Sequence, residues 1–214
     1  MQCGVDEAGK GSVLGPMVVA AVGAKDAAEL AIPGIKDSKL LSREERERFF
    51  DTIVPSFRHA ALVIEPGEID RMRMSMTMNA LVASAHARVI RKLRASVAYV
   101  DACDVVAERF GHMVGNQLVH KCRIVAEHHA DVTHPIVSAA SIVAKVLRDR
   151  AVDALAERYG PLGSGYPSDP ETVAFLSAWI ESEGRPPPCA RASWKTVETM
   201  MYWREQAGIF EFSE

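Results

Sequence analysis

The chain begins with a strand-like segment that runs into two adjacent acids and then into a glycine-rich turn. Residues 2–6 have the pattern of a short strand, and Asp6 and Glu7 stand at its end. A Gly-Lys-Gly turn follows at residues 9–11, and residues 13–23 form a nearly continuous apolar run, which fits a buried second strand. Carboxylates bind hard cations and glycine-rich amides bind phosphate oxygens. The opening segment therefore predicts both a strand pair and a site at its edge.

The rest of the chain alternates strand and helix patterns before it becomes helical. Strands are predicted at residues 96–101 and 118–126, from apolar runs or alternation. Apolar residues recur every four positions between 76 and 94, which predicts an amphipathic helix. A second long helix is predicted from residue 138 to 160. Strands mixed with helices predict an α/β core with a mixed sheet.

Capping residues mark where helices begin. Ser42 and Glu45 have the spacing of a capping box, and Ser193 is expected to cap the last helix. A loop rich in glycine, proline and serine ends near residue 168. We therefore expect a catalytic core at residues 1–168 and a helical segment at residues 169–214.

Composition excludes some classes of protein. The 214 residues have a net charge of −3, which is unlike a basic nucleic-acid coat protein but compatible with an enzyme whose acidic site offsets basic patches. No apolar stretch is long enough to span a bilayer, and no secretory leader is recognisable. The four cysteines lack zinc spacing. We expect reduced thiols and a cytoplasmic protein.

Acids follow three apolar strand patterns, as Asp6 with Glu7, Asp101, and Asp131. Sites in open α/β sheets gather at strand ends, and converging carboxylates suit two divalent metals roughly 3.5–4 Å apart. The plainer interpretation is that each acid is a solvated loop residue. Adjacent strand residues also point to opposite faces. Asp6 and Glu7 can therefore share a site only if the pleat breaks, and the glycines that follow make such a break plausible.

The same segment has the spacing of a nucleotide-binding P-loop, from Gly4 to Lys10. Gly11 stands where that loop needs a Ser or Thr hydroxyl for Mg²⁺. Two carboxylates inside the loop would also repel the phosphates, so a P-loop is the weaker hypothesis. His128 and His129 are ligands by type, but oxygen ligands suit Mg²⁺ and histidine suits Zn²⁺.

Eight motifs in order resemble type 2 ribonuclease H, the ribonuclease HII family, over nearly the whole chain. They are Asp6-Glu-Ala-Gly-Lys-Gly11, Leu14-Gly-Pro-Met17, Asp37-Ser-Lys-Leu-Leu-Ser42, Tyr99-Val-Asp101, Ala130-Asp131, Ser138-Ala-Ala-Ser-Ile-Val-Ala-Lys145, Gly165-Tyr-Pro-Ser-Asp169 and Ser193-Trp-Lys-Thr196. The last is more like the archaeal and eukaryotic branch than the bacterial one.

The resemblance implies an RNase H-like core with a mixed five-stranded sheet flanked by helices and a small helical C-terminal segment. It implies cleavage of the RNA strand of RNA/DNA hybrids, and of duplex DNA 5′ to an embedded ribonucleotide, leaving 3′-hydroxyl and 5′-phosphate ends. It also implies two Mg²⁺ or Mn²⁺ ions. The catalytic and metal-binding residues that match the family are Asp6, Glu7, Asp101 and Asp131, and the ribose-reading residues are Gly9, Lys10, Gly11 and Tyr166.

Lys10 departs from the family, which usually has an arginine there, so bidentate contact with a phosphate is lost. The phenol of Tyr166 has the chemistry to stack on a sugar and bond its 2′-hydroxyl; a tyrosine packed on the core is the plainer interpretation. Lys39, Lys145 and Arg148 are candidate phosphate contacts, with solvated surface as the alternative.

The tail from Gln206 to Phe212 resembles the short peptide by which some replication proteins bind the sliding clamp, although Ser213 replaces the final aromatic. A helix end docking on the protein is the simpler interpretation. We expect a monomer that acts on RNA/DNA hybrids and on ribonucleotide-containing duplex DNA, with no membrane contact. An RNase H-like DNA nuclease and a non-catalytic hybrid-binding module are the alternatives.

Overall fold

The structure is a computed structural model that describes residues 1–30, 32, 34–35 and 41–211, with side chains as far as Gln206. Helices and strands alternate through the first two thirds of the chain and helices alone follow. In order they are β1 (Gln2–Ala8), β2 (Met17–Ala24), a short 3-10 helix (Ala27–Leu30), α1 (Arg43–Ser56), β3 (Arg58–Ile64), α2 (Pro66–Arg73), α3 (Met78–Leu93), β4 (Val97–Asp101), α4 (Ala107–Gly115), β5 (Arg123–Glu127), α5 (Ala130–Thr133), α6 (Pro135–Tyr159), α7 (Pro170–Glu183) and α8 (Lys195–Glu211).

The strands form one mixed five-stranded sheet in the order β3-β2-β1-β4-β5. β1 is central; it runs antiparallel to β2 and parallel to β4, and β4 runs parallel to β5. All eight residues of β2 are buried, as expected for a strand covered on both faces. The predicted mixed sheet flanked by helices is confirmed.

The chain divides into two compact units that are interleaved in sequence. The first unit comprises residues 1–10, 18–63 and 76–148. The second comprises residues 11–17, 64–75 and 149–214. The predicted helical segment 169–214 therefore lies wholly within the second unit, which also draws on earlier parts of the chain.

The core of the first unit lies between the sheet and the start of α6. Any side chain at Gly4 would collide with the backbone of Ile136 and Val137, so the glycine lets α6 lie directly against β1. The small residues of the first turns of α6, from Ser138 to Ser141, are buried there. These small side chains and Gly4 together allow the close approach of α6 to the sheet.

The second unit has its own apolar core, made by Val13, Leu14, Val152, Leu162, Leu176, Ile180 and Val197 among others. Arg191 is fully buried in this unit. Its guanidinium donates to the hydroxyl of Ser12 at 2.8 Å and to the carbonyl oxygen of Gly15 at 3.1–3.2 Å. A buried charge needs such partners, and here the partners fix the chain just beyond the glycine turn.

Two helix-start predictions have different outcomes. Ser42 caps α1 as predicted, with both bonds of the capping box present. Ser193 does not begin the last helix, because α8 begins at Lys195 and the Ser193 hydroxyl donates to Asp70 at 2.6 Å. β5 is also shorter than the predicted strand 118–126, since it begins at Arg123. No helix in the described part of the chain is both long enough and apolar enough to cross a bilayer.

Candidate active site

The two acids at positions 6 and 7 lie inside β1 rather than beyond its end. Asp6 pairs with Ala20 and Glu7 with Val19, in unbroken antiparallel register through Ala8. Because alternate strand residues face opposite sides, the two carboxylates point to opposite faces of the sheet. The expected break in the pleat is therefore wrong. The P-loop hypothesis is wrong as well, since residues 4–8, which would belong to that loop, are part of strand β1.

Asp6 faces α6 and is only 6% exposed. The backbone N–H of Glu7 donates to its Oδ1 at 2.7 Å, and the hydroxyl of Ser141 on α6 also bonds to it. Burial, followed by the negative charges of Glu7 and Asp101, nonetheless holds the pKa of Asp6 well above its usual range. The carboxylate is thus placed where a nearby cation would relieve both burial and repulsion.

Asp101 ends β4, the parallel neighbour of β1, and their register pairs Val5 with Val100. The same register continued by one residue places Asp101 beside Asp6 on the α6 face. Its Oδ1 accepts the backbone N–H of Ala130 at 2.8 Å. Asp131 follows Ala130 in the chain; it lies in the first turn of α5 and is 2% exposed. The parallel strands therefore bring two of the four predicted acids, Asp6 and Asp101, side by side, and Asp131 follows the residue whose N–H bonds to Asp101.

Glu7 faces α3 instead, where its Oε2 lies 2.9 Å from Nε2 of His86. His86 is fully buried and meets the ring of Phe110 edge-on at 5.2 Å. An ionised carboxylate only accepts, so Nε2 carries the shared hydrogen. Sequence analysis missed His86. Its one signal was a histidine on the apolar face of the predicted helix 76–94.

The acids fit a hard divalent cation by type, because they offer only oxygen ligands and repel one another when buried. Within residues 1–30, 32, 34–35 and 41–211, no group of three His, Cys, Asp or Glu side chains is arranged closely enough to hold an ion. Asp6 and Asp101 supply the adjacent pair, Asp131 lies next to it, and Glu7 is on the other face.

The lysine of the glycine turn is bonded to two other segments of the first unit. Gly9 has a φ of +82°, a left-handed conformation that glycine adopts without strain. The Nζ of Lys10 donates to Oδ1 of Asn79 at 3.0 Å and to the carbonyl oxygen of Cys103 at 2.9 Å. Gly11 is exposed, and a Cβ there would meet nothing within 4 Å. The turn thus has open space beside its second glycine.

Within the second unit, the segment after the turn is bonded to the loop that carries Tyr166. The carbonyl oxygen of Gly165 accepts the backbone N–H groups of Val13 at 2.8 Å and of Leu14 at 3.0 Å. Tyr166 follows Gly165 directly and is half-buried. The segment that begins two residues after Gly11 is therefore bonded directly to the residue before Tyr166.

The remaining candidates are scattered. Lys145 is half-buried on α6 and Arg148, further along that helix, is 5% exposed. Lys39 and Phe212 lie outside the described residues. His128 faces backbone carbonyl oxygens, with its two ring nitrogens 3.2 and 3.3 Å from those of residues 102 and 105.

The loop after β4 carries a paired acid. Asp104 is buried and accepts hydrogen bonds from Arg109, from the N–H of Val106 at 3.0 Å and from Nδ2 of Asn79 at 3.1 Å. These bonds, those of Arg109 first, lower the pKa of Asp104 to about 2. Burial acts in the opposite sense on thiols, and it raises the pKa of Cys103 to about 12 and of Cys189 to about 11. Both thiols stay protonated near neutral pH.

Comparison with known proteins identifies close relatives of this site and fold. The family model described as ribonuclease HII matches residues 3–197. Ribonuclease HII of Methanoregula boonei is 54% identical over 212 residues, which cover 99% of this chain and 100% of that protein.

Solved structures give the same match. The ribonuclease HII in the complex with PCNA from Archaeoglobus fulgidus is 43% identical, with a TM-score of 0.87 over 94% of this chain and 96% of that one. The ribonuclease H2 from Pyrococcus horikoshii OT3 is 37% identical, with a TM-score of 0.88 over 96% and 99% of the two chains.

Proposed function

Because the chain belongs to the ribonuclease HII family and is a ribonuclease H, a nuclease for RNA/DNA hybrids, we propose that it also incises duplex DNA 5′ to an embedded ribonucleotide. The products are a 3′-hydroxyl and a 5′-phosphate. The observation that carries the proposal is the buried Asp6 beside Asp101, with the proposed ribose-reading turn starting three residues after Asp6, just beyond the end of β1. Cleavage and ribose recognition are then about one nucleotide apart.

The proposed ligands of two divalent cations, Mg²⁺ or Mn²⁺, are Asp6, Glu7, Asp101 and Asp131. When bound, such ions supply a lowered pKa for the attacking water and charge stabilisation at the leaving oxygen. The chain's own part is to hold Asp6 and Asp101 side by side with little water around Asp6. Ser141 and the Glu7 amide orient the Asp6 carboxylate, and the Ala130 amide orients Asp101.

Ribose recognition is assigned to the backbone of Gly9, Lys10 and Gly11 and to the phenol of Tyr166. The open space beside Gly11 admits a sugar close to the backbone. The bonds from Val13 and Leu14 to Gly165 hold the two recognition elements together. A hydroxyl that both donates and accepts is what distinguishes RNA from DNA at such a site. Lys145 is proposed as a phosphate contact.

The test uses duplex DNA with a single ribonucleotide, incubated with Mg²⁺, with Mn²⁺ or with chelator, followed by mapping of the cut. We expect cutting only with metal and only 5′ to the ribonucleotide. A matched all-DNA duplex serves as control. Cutting of that control would favour the DNA-nuclease alternative, and binding of hybrids without cutting under every metal condition would favour the non-catalytic module.

The tail from Gln206 to Phe212 is proposed to bind a sliding clamp. The support is the short-peptide likeness of the tail and the Archaeoglobus fulgidus relative, whose solved structure is a complex with PCNA. Deletion of residues 206–214 should abolish clamp pull-down and leave cleavage of short duplexes unchanged. Equal clamp binding with and without the tail would contradict it. We also propose that the protein is a monomeric, cytoplasmic enzyme that acts in DNA replication and repair.

A further inference from the structure

Lys10 is the residue of the ribose-reading turn that departs from the family, and its side chain is directed into the protein. We infer that Lys10 is a positioning residue, which ties the turn to the start of α3 and to the segment after β4, and that it does not act as a phosphate contact. This inference rests on the proposed function, because it assigns a role within the same site.

The ammonium group of Lys10 has acceptors for its hydrogens inside the first unit. Oδ1 of Asn79 lies 3.0 Å from Nζ and the carbonyl oxygen of Cys103 lies 2.9 Å from it. The thiol of Cys103 makes a further hydrogen bond with the same group. A lysine ammonium has three N–H donors, so these three acceptors satisfy it. A phosphate contact would require the tie to be broken.

The acceptors are themselves fixed. Asn79 lies in the first turn of α3, and its amide Nδ2 donates to Oδ2 of Asp104 at 3.1 Å. Asp104 is buried, and Arg109 and the Val106 amide hold it in turn. Lys10 is therefore the last member of a hydrogen-bonded chain that begins on α4, and its geometry is set by well-packed elements.

The contact between Lys10 and Cys103 joins the segments that follow β1 and β4, the two strands that carry Asp6, Glu7 and Asp101. Lys10 is three residues beyond Glu7 on the β1 side, and Cys103 is two residues beyond Asp101 on the β4 side. Holding one to the other fixes the turn relative to Asp101. Misplacement of a sugar by about 1 Å costs about 100-fold in rate. A compact ammonium with three donors suits this cluster of neutral acceptors, whereas the guanidinium fork suits a phosphate.

Salt dependence separates the two roles of Lys10. A phosphate contact contributes about 0.7–0.9 to the slope of log K against log[salt]. In an Asp101→Asn background, Lys10→Met should leave the slope for ribonucleotide-containing duplex unchanged. It should also lower the preference for that duplex over all-DNA duplex by at least about fivefold. Lys121→Met is the matched control, because it removes the same charge at an exposed residue. Lys121 lies just before β5, at the end of that strand away from Glu127 and Asp101. A slope reduced by about one contact, with preference retained, would overturn the inference.

A double-mutant cycle in urea unfolding tests the contact between Lys10 and Asn79 independently of activity. Lys10→Met and Asn79→Ala should destabilise the protein less than additively in urea unfolding, as expected for residues that share a contact. The same substitutions should also lower kcat/KM for the ribonucleotide-containing duplex by similar factors, singly or together. Additive unfolding effects would overturn the tie alone. If the unmodified enzyme did not incise at a ribonucleotide while the unfolding effects were still less than additive, the proposed function would be overturned and the tie would stand.

Discussion

Asp6 and Glu7 are neighbours in sequence but occupy opposite environments in the fold. Asp6 is buried against α6 beside a second acid, and its pKa is raised by burial and by like charges. Glu7 lies on the α3 side, where buried His86 supplies a hydrogen-bond donor 2.9 Å away. The two neighbouring acids therefore have different partners, a second acid beside Asp6 and a histidine beside Glu7.

The largest expected effect is the loss of cleavage when the cation-facing acids lose their charge. Asp6→Asn and Asp101→Asn should each reduce kcat/KM by about 10³-fold or more, because several kcal/mol of transition-state stabilisation depend on them. Single-turnover cleavage of ribonucleotide-containing duplex measures this. Glu127→Gln is the control, since Glu127 neighbours Asp101 in register but is exposed and bonded to His134. Full activity in Asp101→Asn would contradict the assignment.

The sequence predicted part of the site around Asp6 and Asp101. The apolar strand pattern at residues 96–101 predicted an acid at the end of a strand, and Asp101 ends β4. Asp131 was expected at a strand end too, but it lies on α5, four residues after β5 ends at Glu127. The sequence did not reveal that β1 continues through Ala8, because strand ends depend on which neighbour remains to pair with. β2 supplies partners as far as Val18, opposite Ala8, and keeps the pleat intact. Tertiary pairing here overrode the expectation drawn from the glycines.

Substitution beside Glu7, whose carboxylate lies 2.9 Å from His86, is expected to lower activity less than substitution of Asp6 or Asp101. Removal of the donor by His86→Ala should reduce kcat/KM by about 10–100-fold, the range found when an outer partner of a metal-binding carboxylate is lost. His86→Gln keeps a donor and should recover part of the loss, and far-ultraviolet circular dichroism should be unchanged. If the glutamine variant is as impaired as the alanine variant, His86 acts only through packing against Phe110. The sequence offered one sign of this role, a histidine on the apolar face of the predicted helix 76–94.

A smaller effect is expected on stability, and it should have a definite sign. A carboxyl whose pKa is raised by folding binds more protons in the folded than in the unfolded state, so stability falls as pH rises from its ordinary pKa of 3.8 toward the folded value. Asp6→Asn should remove that slope and raise Tm at pH 7.5 without metal, by about 2–4 °C per kcal/mol of relieved repulsion. Mg²⁺ or Mn²⁺ should raise the Tm of the unmodified protein and have less effect on the variant. A lower Tm for the variant in metal-free buffer would contradict the account.

The smallest effect should come from Asp104, a carboxylate that is paired rather than repelled. Its pKa is lowered to about 2 by Arg109 and its other donors, so its contribution has the opposite sign. It is present above the ordinary pKa of 3.8 and is lost as pH falls toward about 2. Arg109→Met should therefore destabilise the protein near pH 6 and leave it nearly unchanged at pH 2. Because Arg109 is largely exposed, solvent screens the pair and the difference should be modest. Denaturant titrations of both proteins at the two pH values measure it, and Arg123→Met, at an exposed arginine on β5, is the control. A destabilisation that persists at pH 2 would show that Arg109 contributes through packing and not through its charge.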